Sequence, residues 1–105
     1  MIKLEERNYA RGILQNYISL VERRFLGDMV AIDTLIDLER AIELAELTER
    51  QKETIYYRYM RGFSPKESAE KIGIARTTLV EHEQMAINAI NEVYIMWAYM
   101  EGVEK

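Results

Sequence analysis

A chain of 105 residues that is 49% hydrophobic and 30% charged has the size and apolar content of one domain, or one domain with an arm, and argues against intrinsic disorder. With no cysteine and a single histidine, disulfides and thiolate metal sites are excluded and a histidine metal site is disfavoured. A net charge of −4 does not favour nucleic acid, since phosphate affinity comes from Lys and Arg.

One proline, five glycines and few β-branched runs point to an all-α chain of about five helices. Residues 3–26 read as one long helix, with Tyr9, Ile13, Tyr17, Leu20 or Val21, and Leu26 recurring at spacings of three and four on its apolar face. Gly12 weakens its first turns by about 1 kcal/mol relative to alanine. Gly27 stands where a left-handed C-terminal cap is wanted, and Asp28 where the next helix needs an N-cap. Residues 29–46 form the second helix, with Val30 or Met29, Ile32, Leu35, Ile36, Leu38, Ile42 and Ala45 inward. Asp33, Asp37, Glu39, Glu43 and Glu46 are mostly left for its wet side. Two long helices joined by a tight turn imply an antiparallel hairpin.

Thr48-Glu49-Arg50-Gln51 is a capping box and opens the third helix, whose apolar side is Leu47, Ile55, Tyr56 and Tyr59 and whose end lies near Gly62. Ser64-Pro65-Lys66-Glu67 is a second capping box, with proline at the first helical position, where its missing N–H costs nothing. It starts a short fourth helix over roughly 65–72, in which Ala69 is small where two helices must approach closely. The fifth helix starts at Ala75 or Arg76 and meets no breaker until Gly102, a length of about 38 Å. Its second half is apolar over a wide arc: Ala86, Ile87, Ala89, Ile90, Val93, Tyr94, Met96, Trp97 and Met100. So broad an arc needs more than one neighbour, either the N-terminal hairpin or a second copy of the chain.

Over residues 47–90 the order is helix, Ser-Pro start, short helix, the turn Ile72-Gly73-Ile74, then helix, which is the helix-turn-helix layout. The chain therefore divides into a hairpin at 1–46, for packing, oligomerisation or a partner, and a helix-turn-helix part at 47–105 with an extended last helix. Lys and Arg against Asp and Glu number 6 and 9 over residues 1–46, and 7 and 7 over residues 47–96. The acid is thus concentrated in the hairpin, as a solvated face or as a match for a basic partner such as a polymerase subunit. No run approaches the roughly 18 apolar residues of a membrane span, and no signal-peptide pattern opens the chain, so a soluble cytoplasmic protein is expected. Without a cysteine, a second histidine or a Gly-rich phosphate loop, neither an enzyme nor a cofactor is expected.

Leu47-Thr48-x-Arg50-Gln51, the run Ile55 to Tyr59, then Gly62, Ser64, Glu67, Ala69, Ile72-Gly73-Ile74, Thr78-Leu79, Ala86 and Ile90 resemble the promoter-reading region four of bacterial sigma factors. The stretch also resembles small phage transcription regulators built on that region. The resemblance covers roughly 45 residues and leaves out residues 1–46. It implies a DNA-binding transcription regulator with duplex DNA, and also RNA polymerase, as partners, and the apolar arc at 86–100 with the hairpin implies a homodimer. It places Arg76, Thr77, Val80, Glu81 and Gln84 at the base edges of the major groove, and Arg61, Lys66 and Thr78 at phosphates. The sequence departs from the family at four points. Ala75 replaces a Ser-like cap, Ser68 an apolar residue and His82 an Ile or Val, and the recognition helix sets Arg76 and His82 against Glu81 and Glu83. Arg76 could pair with Glu83, and the shape could serve as a protein-binding module on polymerase or another regulator without reading DNA.

Overall fold

The computed structural model describes residues 8–101, and every regular element among them is helical. Six helices follow in chain order: α1 (Tyr9–Gln15), α2 (Tyr17–Phe25), α3 (Met29–Leu44), α4 (Glu49–Ile55), α5 (Pro65–Ile72) and α6 (Arg76–Met100). No helix among the described residues is long and apolar enough to cross a membrane.

The long first helix expected over 3–26 is two helices, and residues 3–7 of that span lie outside the described residues. Asn16 makes the break. Its side-chain amide donates to the Gly12 carbonyl at 2.9 Å and its backbone N–H to Ile13 at 3.1 Å, which draws the chain out of the i→i−4 ladder. The break changes which side chains are buried. Ala10 and Leu14 are fully buried, Ile13 and Tyr17 only partly, and Tyr9 and Leu26 lie outside the core. The pair at 27–28 behaves as expected: Gly27 has φ +85°, and Asp28 accepts from the amides of Val30 and Ala31 at the start of α3. The Arg23 guanidinium at 2.9 Å, with the Ala31 amide, holds the Asp28 carboxyl below its usual range.

In α3 the buried stripe is Ala31, Leu35, Leu38 and Ala41, one residue away from part of the expected set. Met29, Val30 and Ile36 face outward instead. The helix ends with Glu46 at φ 51°, a left-handed position that lacks the usual glycine. Both capping boxes form with reciprocal bonds, Thr48 with Gln51 and Ser64 with Glu67. The α4 helix does not run on regularly to Gly62. It widens into a π turn over Tyr56–Met60, with the Arg61 amide donating to the Tyr56 carbonyl at 2.8 Å.

The core lies between the hairpin and α6. Leu35, Leu38 and Ala41 of α3 join Ala86, Ile87, Ile90 and Val93 of α6, with Ala10 and Leu14 of α1 and Ile55 and Tyr59 closing the sides. The broad apolar arc is therefore covered largely from within the same chain, while Met96 and Met100 remain exposed. One polar contact locks this arrangement. The Ala10 amide, in the first turn of α1 and without an intrahelical acceptor, donates to buried Asn91 Oδ1 at 3.1 Å.

Candidate nucleic-acid interface

The helix-turn-helix is α5, the turn and α6. Gly73 sits at φ +85°, where its lack of a Cβ avoids strain, and the amides of Gly73 and Ile74 both donate to the Ala69 carbonyl. Ala69 before that turn and Leu79 after it are both buried. Arg50 of α4 reaches across to the Ile72 carbonyl at 3.3 Å, satisfying one acceptor at the end of α5, and pairs with Glu53. The arginine of the Leu-Thr-x-Arg-Gln pattern thus braces the turn between the two helices.

At the start of α6, Arg76, Thr77, Val80, Glu81 and Gln84 are all exposed. Their spacing of one, four, five and eight residues puts them on one helix face. Of the phosphate candidates, Lys66 is exposed in the first turn of α5, Arg61 is exposed after the π turn, and Thr78 is half-buried on α6. Arg61 lies over the Phe63 ring at 5.1 Å and near Tyr56 at 5.9 Å, so its guanidinium is held by stacking. The aromatic cluster is packing and rim: Tyr59 is buried, and Tyr57 stacks on Phe63 at 5.9 Å. His82 is half-buried. Ala75 occupies the N-cap of α6 in an extended conformation and offers no side-chain acceptor. Replacing it with serine (Ala75→Ser) is expected to stabilise the domain by about 1 kcal/mol, read as a higher urea midpoint with unchanged slope.

Glu83 is not the exposed acid the sequence suggests. It is 8% exposed, accepts the Tyr59 hydroxyl at 2.5 Å and pairs with Arg58 at 3.4 Å. Arg58 also donates to the Phe63 carbonyl at 2.8 Å. Glu83 is thereby committed to Arg58 and not to Arg76, and the recognition face loses one of its two apparent negative charges. What remains there is Arg76 against Glu81. The Arg58–Tyr59–Glu83 clasp joins the π turn to the recognition helix, and nothing in local sequence signals it, because Glu83 lies 25 and 24 residues from its two partners. Gln84 also has neighbours. It accepts from Arg11 of α1 at 3.1 Å and donates to Asn88 at 3.3 Å.

Burial, and next the hydrogen bond to Glu83, push the Tyr59 hydroxyl up to about 12. Burial, followed by the charge of Asp37, does the same to Tyr94, whose hydroxyl has no hydrogen-bond partner among the described residues. Both values lie above the ordinary 10.0. A raised phenol pKa means that the folded state holds the proton more tightly than the unfolded chain does. The resulting stabilisation is complete below about pH 10 and is lost as the pH rises towards 12. Phenolate absorbance and far-UV circular dichroism followed together should show the last tyrosines ionising as helix is lost.

The sequence model of the ECF sigma factor family matches residues 5–92. The match takes in the hairpin as well as the helix-turn-helix, and so reaches beyond the stretch on which the sequence resemblance rests. No curated protein and no solved structure matches the chain. Bracing of a sigma-type turn by Arg50, the exposed face at the start of α6 and a family match spanning most of the sequence agree, and the chain belongs to the ECF sigma factor family.

Proposed function

We propose that the protein is a small transcription regulator of phage or prophage type that reads duplex DNA as a homodimer. The observation that carries this is the exposed face of Arg76, Thr77, Val80, Glu81 and Gln84 at the start of the second helix of the helix-turn-helix. Arg76 can donate two bonds to a guanine edge, Gln84 can pair with adenine, and Glu81 can accept from a cytosine amino group. Arg61, Lys66 and Thr78 supply phosphate contacts that orient the domain without reading sequence. Residues 1–46 act as packing and partner surface and residues 47–105 as the reader. Exposed Met96 and Met100 on α6, with Phe25, Leu26, Met29 and Val30 at the hairpin tip, supply apolar surface for the second copy. Two copies would place two recognition helices on half-sites about one helical turn apart and so double the contacts.

Mobility-shift titration with a selected duplex tests this reading. Arg76→Ala or Gln84→Ala is expected to weaken binding by about 1–3 kcal/mol, the worth of one bidentate base contact, and to relax selectivity at one base pair. Unaltered affinity in both variants would remove the recognition face. The hairpin tip favours a second reading, a protein-binding module acting on RNA polymerase, because Phe25 and Leu26 are 89% and 84% exposed. Co-purification with polymerase, without any duplex shift at low salt, would favour that module over the DNA reader.

A further inference from the structure

We infer that Arg11, carried by α1 and not by the helix-turn-helix, contacts the phosphate backbone where the recognition helix leaves the major groove. The inference rests on the DNA-reading function proposed above and adds to it a residue from the hairpin half of the chain.

Position is the first support. From Arg76 to Gln84 the helix rises about 12 Å, close to the roughly 12 Å width of the major groove. A helix that enters by its N-terminus meets base edges from its first turn to the start of its third and reaches the flanking backbone just beyond. Gln84 stands on that third turn, and its Oε1 accepts from the Arg11 guanidinium at 3.1 Å. Arg11 is thus held at the outer end of the recognition face.

Rigidity is the second. The residue before Arg11 is fully buried and bound through its amide to Asn91 of α6, and Leu14 is buried one turn later. Arg11 therefore moves with α6. Its partner Gln84 is itself tied to Asn88.

Charge is the third. Arg23, Arg24, Arg50 and Arg58 each pair with a carboxylate, whereas Arg11 makes no ion pair among the described residues. Of its five N–H donors the Gln84 bond uses one, leaving a guanidinium suited to a phosphate's oxygens. The recognition face, with Arg76 against Glu81, is nearly neutral, so cations must come from its borders. Arg61 and Lys66 supply part of them and Arg11, beside Gln84, supplies another.

The test is the salt dependence of duplex binding by the full chain, read by fluorescence anisotropy on a labelled duplex selected from a random pool, between 50 and 200 mM salt as roughly the range in which phosphate contacts dominate. Arg11→Ala should weaken binding to matched and mismatched duplexes alike and lower the slope of log K against log salt by about 0.9. Arg11→Lys should keep the slope, and circular dichroism should show both variants folded. If Arg11→Ala leaves the slope unchanged while Arg76→Ala still relaxes selectivity at one base pair, Arg11 touches no phosphate and the inference is overturned with the recognition face intact. It is equally overturned if Arg11→Ala has no effect in a Gln84→Ala background, since Arg11 would then only position that glutamine. Failure of the parent protein to bind any duplex would overturn both the inference and the function beneath it.

Discussion

Replacing Glu83 with alanine is expected to destabilise the domain by about 2–4 kcal/mol, somewhat below the roughly 3–5 kcal/mol for breaking a fully buried pair. The discount reflects Arg58, whose side chain stays 21% exposed and keeps some water. Removing the carboxylate strands the buried Tyr59 hydroxyl and leaves the Arg58 charge with the Phe63 carbonyl and the face of the Tyr59 ring. Glu83→Gln retains an acceptor for Tyr59 and should lose about half as much. The consequence reaches function, because the clasp connects the π turn to the helix that carries Arg76. Glu83→Ala should therefore reduce duplex affinity even at temperatures where circular dichroism reports full helix. Urea denaturation of the three proteins, at neutral pH and fixed salt, measures the first effect. Equal stability of parent and Glu83→Ala would mean that the clasp holds nothing.

Leu38→Ala is expected to remove about 2–5 kcal/mol, the range for emptying a fully buried leucine site. Leu38 is 0% exposed and belongs to the hairpin, yet it shares a core with Ile87 and Ile90 of the recognition helix. The loss should therefore appear in one transition, with tryptophan fluorescence from Trp97 on α6 and far-UV circular dichroism shifting together. A variant in which helix content falls first, while the Trp97 signal keeps its original midpoint, would show that the hairpin unfolds separately from α4 to α6. Since typical domains are stable by only about 5–15 kcal/mol, either substitution takes a large share of the whole.

Much of the fold is legible in the sequence where short-range chemistry decides it. Gly27-Asp28, the two capping boxes and Gly73 each complete their bonds within a few residues, and all four stand where local pattern puts them. The helix break at Asn16 is less legible. Its side chain competes with the backbone for the Gly12 carbonyl, and the kink gains from packing α1 on α6 and α2 on α3, which no local pattern announces. The π turn at Tyr56–Met60 and the left-handed Glu46 are likewise set by what surrounds them.

The candidate site divides the same way. Spacing alone gathers Arg76, Thr77, Val80, Glu81 and Gln84 on one face, because helical periodicity is local. The burial of Glu83 depends on Arg58 and Tyr59, and the environment of Gln84 on Arg11, 73 residues away. Both contacts alter the charge around the start of α6 in ways that a count of acids and bases along that helix does not show. The hairpin contributes residues to the setting of the recognition helix, through Arg11 and through the Ala10–Asn91 bond. That the family match begins at residue 5 accords with this physical dependence.

Whether the start of α6 reads DNA is decided most directly by titrating the isotopically labelled protein with duplex DNA and following backbone amide shifts in nuclear magnetic resonance. The largest changes are expected on residues 76–84, with a second group at the start of α5 around Lys66 and a third at Arg11. Changes confined to the hairpin tip around Phe25 and Leu26, or no changes at low salt, would show that this helix-turn-helix does not read DNA.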